Sequence, residues 1–139
     1  MLFGDDHVQA YRDSDGAVGH EWRPGVHCLL LTTTGHRSGR SRTVPLIYGR
    51  ADDGYVVVAS KGGAPDHPAW YQNLSAHPQV EIQVGAEVMP ATARTADGDE
   101  RRRLWERMAG IWPDYDRYAE ATDREIPVVV LEPCDGSGA

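Results

Sequence analysis

Lysine is almost missing from this chain. Of its 14 basic side chains, 13 are arginine, and Lys61 is the sole lysine. Cysteine is scarce as well: Cys28 and Cys134 stand far apart and fit no metal or redox spacing. Long apolar runs are absent, since residues 26–31 and 127–131 fall far short of the ~20 residues of a membrane-spanning helix. No apolar core follows Asp5 and Asp6, so no secretory leader is indicated and a cytoplasmic protein is expected. Net positive charge is lacking too: 14 basic against 21 acidic residues leave −7. That balance excludes nonspecific binding to nucleic acid or to anionic membranes, which needs positive potential. No GxGxxG, HExxH or GxSxG occurs, so a dinucleotide fingerprint, a zincin site and a serine-hydrolase elbow are unsupported. The six histidines (His7, His20, His27, His36, His67, His77) form no ligand spacing, and no metal is expected.

What is present is enough for one globular domain. The 139 residues are 40% hydrophobic and 25% charged, inside the range of folded chains. Residues 1–22 are polar, carry Gly16 and Gly19, and read as a loosely attached, mobile arm. Residues 23–133 hold the domain, and 134–139 read as a disordered tail. Strands are expected over 26–33, 43–48, 55–60, 80–84, 87–94 and 126–131. The Asp53-Gly54 turn signals a hairpin. Asp66 is the expected cap of a short helix carrying Trp70, Tyr71, Leu74 and Ala76. Asp97 opens a longer one with Leu104, Trp105, Met108, Ile111 and Trp112 at helical spacing. Pro113 interrupts it, and Tyr115 and Tyr118 follow on one face of a second short helix. Hairpin-linked strands with helices between and after them make an α+β or small-barrel arrangement, not a doubly wound sheet.

Charge is distributed unevenly. Between Trp22 and Ala51 stand five arginines (Arg23, Arg37, Arg40, Arg42, Arg50) and no carboxylate, whereas 11 acids face six bases from Asp97 onward. One basic third in an acidic protein points to a small anionic ligand rather than a polymer. The stretch Gly35-His36-Arg37-Ser38-Gly39-Arg40-Ser41-Arg42 resembles a P-loop but fails its pattern: three residues separate the glycines and a strand follows. Its glycine amides, serine hydroxyls and guanidinium groups suit a phosphate or carboxylate, and it reads equally as a solvated basic hairpin. Ser60-Lys61-Gly62-Gly63-Ala64 leaves a strand end with two glycines that permit close approach to a flat ligand, or form a plain flexible loop. Trp70 and Leu74 read as core, with Tyr71 or Asn73 free to reach a ligand. Tyr115 and Tyr118 read either as half-buried packing or as proton donors to a developing oxyanion.

Taken in order, Leu30-Leu31-Thr32-Thr33-Thr34-Gly35-His36-Arg37-Ser38-Gly39, Arg42-Thr43-Val44-Pro45-Leu46 and Ala59-Ser60-Lys61-Gly62-Gly63-Ala64 resemble the deazaflavin-dependent nitroreductase family. His67-Pro68-Ala69-Trp70-Tyr71-Gln72-Asn73-Leu74, Trp112-Pro113-Asp114-Tyr115 and Thr122-Asp123-Arg124-Glu125-Ile126-Pro127-Val128-Val129-Val130 continue the likeness. It runs from Val8 to Pro133. The resemblance implies a split β-barrel of the FMN-binding type with short flanking helices. It implies coenzyme F420, an 8-hydroxy-5-deazaflavin bearing a phosphate, a lactyl unit and a polyglutamate tail. By the same likeness His36, Arg37, Ser38, Gly39, Arg40 and Ser41 hold the phosphate and tail, with Arg42 and Pro45 lining the same groove. Ser60, Lys61, Gly62, Gly63 and Ala64 pass along the ring, and Trp70 and Asn73 close the site. Typical members carry Lys or Arg where this chain has His36. Tyr115, Tyr118 and Ser60 fall where the family has its reacting centre.

The implied activity is hydride transfer from reduced F420 to a small electrophile such as a quinone, an enone or a nitroaromatic. A noncatalytic F420 carrier, and a split barrel binding FMN or haem, are the alternatives. A homodimer is expected by likeness to split barrels. A quinone acceptor implies contact with the inner face of the membrane.

Overall fold

The computed structural model describes residues 4–51 and 54–134. The expected turn residue Asp53 and the tail beyond Cys134 lie outside the described residues, as do the first three residues of the expected arm.

Among the described residues eight strands form one antiparallel sheet: β1 (Glu21–Arg23), β2 (Val26–Thr34), β3 (Ser41–Ile47), β4 (Gly49–Ala51), β5 (Gly54–Val58), β6 (Gln79–Val84), β7 (Glu87–Thr95) and β8 (Val128–Pro133). Neighbours run β1-β2-β6-β7-β8-β5-β4, and β3 pairs with β2 outside that path. The α-helices of the described residues are α1 (Gly4–Asp13), α2 (Ala69–Ala76), α3 (Gly98–Ile111) and α4 (Asp114–Glu120). This is the α+β arrangement that the residues imply, and it has the split-barrel form that the resemblance implies.

Side-chain alternation explains the layering. In β2, Leu29 and Leu31 enter the barrel core with Val57, Ile82, Val129 and Leu131, whereas Leu30 faces out against Val8 and Tyr11 of α1. In β5 and β8, Val56, Val58, Val128 and Val130 face the other way and pack against Leu104, Met108 and Tyr115. Both faces of these strands are therefore covered, so their sequences read as unbroken apolar runs rather than alternating ones. Each fully buried Val or Leu contributes about 1.5–3 kcal/mol of transfer free energy.

The structure departs from the sequence reading at three places. The described part of the expected arm is folded: α1 brings His7, Val8 and Tyr11 to one side, and Tyr11 is wholly buried. The Tyr11 hydroxyl accepts from the Gly85 amide at 2.7 Å and lies 3.1 and 3.2 Å from the carbonyls of Cys28 and Gln83. Gly16, with φ of +87°, lies against Gly85, where an added Cβ would come within 2.4 Å of its Cα. A three-residue strand such as β1 or β4 is too short to show periodicity, which is why both are absent from the sequence reading. The cap of α2 is Pro68 rather than Asp66, because the helix begins only at Ala69.

Candidate active site

A cleft of about 490 Å³ opens beside β3, the end of β5, α2 and the α3–α4 junction. That volume lies within the range of about 300–1,000 Å³ usual for small-molecule sites. Six predicted residues line it: Pro45, Ser60, Lys61, Trp70, Tyr115 and Tyr118. Val44, Leu46 and Ile47 join Pro45 along β3. Proline is tolerated there because β3 pairs on one side only, with β2.

The chemistry of the wall is uneven. Tyr115 is 5% exposed, and its ring packs edge-on to Tyr118 with centroids 6.2 Å apart. Burial, chiefly, holds its phenol above the usual tyrosine range, with Cys28 and Tyr118 adding to it. Its hydroxyl makes no hydrogen bond to another described residue and is not sealed from the cleft. The Ser60 hydroxyl is likewise unbonded among the described residues, while Trp112 Nε1 reaches Tyr118 Oη at 3.5 Å. Burial pushes the Cys28 thiol up to about 12, so it stays protonated and inert.

The remaining predicted residues lie around the cleft rather than in its wall. His36, Arg37, Ser38, Gly39 and Arg40 form the exposed β2–β3 loop, and Ser41 and Arg42 open β3. Ser38 Oγ accepts from the Arg40 amide at 3.1 Å, and the Gly35 amide donates to the Arg40 carbonyl at 2.7 Å, closing the loop. Arg37, Arg40 and Arg42 form no ion pair with any described residue. Arg42 stands three residues from Pro45 on the same strand, about 10 Å away.

Asn73 is buried and acts on that loop. Its Oδ1 accepts from the His36 amide at 3.0 Å and from His36 Nδ1 at 2.8 Å, while its Nδ2 donates to Thr33 Oγ1 at 3.1 Å. Because the carbonyl oxygen can only accept, His36 Nδ1 carries a proton in this contact. Gly62, Gly63 and Ala64 belong to the turn after β5. There Lys61 has φ of +47° and Gly63 of +83°. A Cβ at Gly63 would lie 2.8 Å from the Tyr118 carbonyl.

Nine residues lining the cleft lie outside the predicted set, and three of them are histidine or tryptophan. His7, Trp22 and Trp112 line it, two of them from the supposed arm. Arg23 lies over the rings of Trp22 and Trp112, 4.6 and 5.2 Å from their centroids. The spacing of His7, Val8 and Tyr11 along one helix face is the signal that could have found α1.

Residues 5–133 match the model of the F420H(2)-dependent quinone reductase family. The chain belongs to that family. It is 41% identical over 128 residues to an F420H(2)-dependent quinone reductase of Mycobacterium tuberculosis, covering 90% of this chain and 86% of that protein. A solved F420-H2 dependent reductase of type FDR-A is 45% identical, with a TM-score of 0.70 over 76% of this chain and 93% of its own. Another solved structure, described as a domain-swapped dimer, is 41% identical, with a TM-score of 0.74, 90% of this chain and 91% of its own. The haem storage protein HutZ of Vibrio cholerae shares the fold at 16% identity and a TM-score of 0.60, with 97% of this chain and 93% of its own covered. The family is F420H2-dependent, and coenzyme F420 is its cofactor. Among the described residues no helix is long and apolar enough to cross a membrane.

The residues present suit that cofactor. A polyanionic tail calls for cations not already neutralised by the fold, and Arg37, Arg40 and Arg42 are such cations. A flat ring calls for close backbone approach, and the Lys61–Gly63 turn, with its positive φ angles, presents main chain at the cleft edge.

Proposed function

We propose that the cleft binds F420 with its ring along Ser60–Ala64 and its phosphate and tail on the loop from His36 to Arg42, and reduces a quinone there. The observation that carries this reading is the pairing of three uncompensated guanidinium groups with a cleft that a buried phenol lines. Reduced F420, when bound, supplies a hydride. The chain supplies the rest. Arg37, Arg40 and Arg42 hold the anionic tail by charge-assisted hydrogen bonds. Pro45, Leu46 and Trp70 exclude water from one side of the cleft. Tyr115 keeps its proton on Oη at neutral pH and donates it to the oxygen that gains charge on the acceptor. Ser60 Oγ, free of protein partners, orients the reacting groups, and Tyr118 flanks the same space.

The reading puts the reaction in the cytoplasm, with a lipophilic quinone met at the inner membrane face. The relative described as a domain-swapped dimer supports a homodimer here as well. Mixing reduced F420 and menadione with catalytic amounts of protein tests the reading. Protein-dependent reappearance of oxidised F420 is the expected result, and binding without turnover would instead make the protein a carrier.

A further inference from the structure

The 122–127 segment contributes nothing to the cleft wall, yet Arg124 turns from it back beneath the turn that does. Its Nε donates to the Ala64 carbonyl at 2.8 Å, and its Nη2 to the Ser60 carbonyl at 2.6 Å. Its Nη1 reaches the Ala59 carbonyl at 3.2 Å and His67 Nδ1 at 3.0 Å. These acceptors bracket the whole turn, from the end of β5 to the approach of α2. A planar guanidinium offers five donors in a fixed fork, and this arrangement uses its geometry in a way an ammonium group cannot. No carboxylate pairs with Arg124 among the described residues, although Asp66 lies close enough to act on it through space.

The turn needs such a clamp. Lys61 holds a left-handed φ of +47° that costs a non-glycine residue energy, and Gly63 is pressed against the carbonyl of Tyr118. Arg124 grips the turn from one side while α4 closes the other. The grip also sets direction. In a trans peptide the N–H points away from its C=O, so carbonyls of Ala59 and Ser60 aimed at Arg124 turn the amides of Ser60 and Lys61 the opposite way.

We propose that Arg124 is the positioning residue of the cofactor turn: it holds residues 59–64 in the form that presents Ser60 and Lys61 to F420. It thereby sets cofactor affinity through the turn it holds. The inference rests on the F420 reading above. It is tested with Arg124→Lys and Arg124→Ala, measuring melting temperature, F420 dissociation constant by tryptophan quenching, and KM for reduced F420 and for menadione. Folded Arg124→Lys is expected to bind F420 about tenfold more weakly and to show a KM for reduced F420 raised about tenfold, with KM for menadione nearly unchanged. Guanidinium ion at millimolar concentration is expected to restore part of the loss in Arg124→Ala.

In the unaltered chain, adding F420 is expected to shift the Arg124 Nε–H resonance, a readout that needs no variant to fold. Wild-type F420 affinity in folded Arg124→Lys, or an Nε–H resonance that F420 does not move, would overturn the role of Arg124 alone. Failure of the unaltered chain to bind F420 would overturn the F420 reading instead.

Discussion

Burial of Tyr115 among Val58, Met108 and Ile126 keeps the proton on its hydroxyl at any pH near neutral, while the hydroxyl itself meets only the cleft. Replacing it with phenylalanine removes one oxygen and leaves the packing. For Tyr115→Phe we expect turnover with menadione to fall roughly 100-fold, the scale of a lost general acid, with F420 binding intact. Stopped-flow rates beside equilibrium titrations check this; unchanged turnover removes Tyr115 from the chemistry. His36 gives a prediction of the opposite sign. Its amide bond to Asn73 belongs to the backbone and survives substitution, so His36→Lys keeps the loop in place and adds a permanent cation. F420 should bind about three- to tenfold more tightly at low salt, measured by the same titration.

At the scale of elements, the turn after β5 is the most constrained segment of the site. Gly63→Ala puts a side chain at φ of +83° and against the Tyr118 carbonyl. The backbone alone costs about 1–2 kcal/mol, so the melting temperature should drop and F420 affinity with it. The β1–β2 region carries a pH dependence. Burial first, and His27 next, lower the pKa of His20, against Glu21, and its Nε2 lies 2.7 Å from Tyr48 Oη. His67 is lowered by burial and then by Arg124, against Asp66. In both cases the folded chain binds fewer protons than the unfolded one. Their stabilisation is therefore full above the unfolded histidine pKa of about 6.5 and is lost as pH falls through the lower folded values. Thermal melts across that window should show stability falling with pH, and His20→Gln should flatten the slope.

The same scale shows what the sequence made legible. The apolar, then threonine-rich run of β2, the alternation of β6 and β7 and the helical spacing of α3 are strong local signals, and each element formed close to where it was expected. The motif at Ser60–Ala64 was legible because glycines and a lone lysine stand out. α1 was not, because only His7, Val8 and Tyr11 mark its inner face, while four of its ten residues are charged and Gly4 and Gln9 add no apolar signal. Trp22 and His7 became cleft residues through tertiary docking, on which local pattern is silent. Asn73 was placed against the cofactor, whereas its amide is engaged by His36 and Thr33, a role set by contacts 37 and 40 residues apart.

Across the whole molecule, charge and shape are divided. The net charge is −7, yet the end of the barrel that carries the β2–β3 loop displays three arginines free of ion pairs among the described residues. Acidic patches elsewhere repel polyanions at large, and the local field at the loop favours a small one. Surface charges of this kind are screened by salt over roughly 10 Å at 0.1 M, so tail binding should weaken as ionic strength rises. The central claim, that the anionic tail is read by the arginine loop and the ring by the turn after β5, is tested most directly by one paired titration. Intact F420 and its tail-free deazaflavin chromophore are titrated against the protein at low and high salt, following tryptophan fluorescence. The account predicts saturable binding of both, with the intact cofactor much tighter at low salt and the advantage shrinking at high salt. Equal, salt-independent affinity for the two would contradict it.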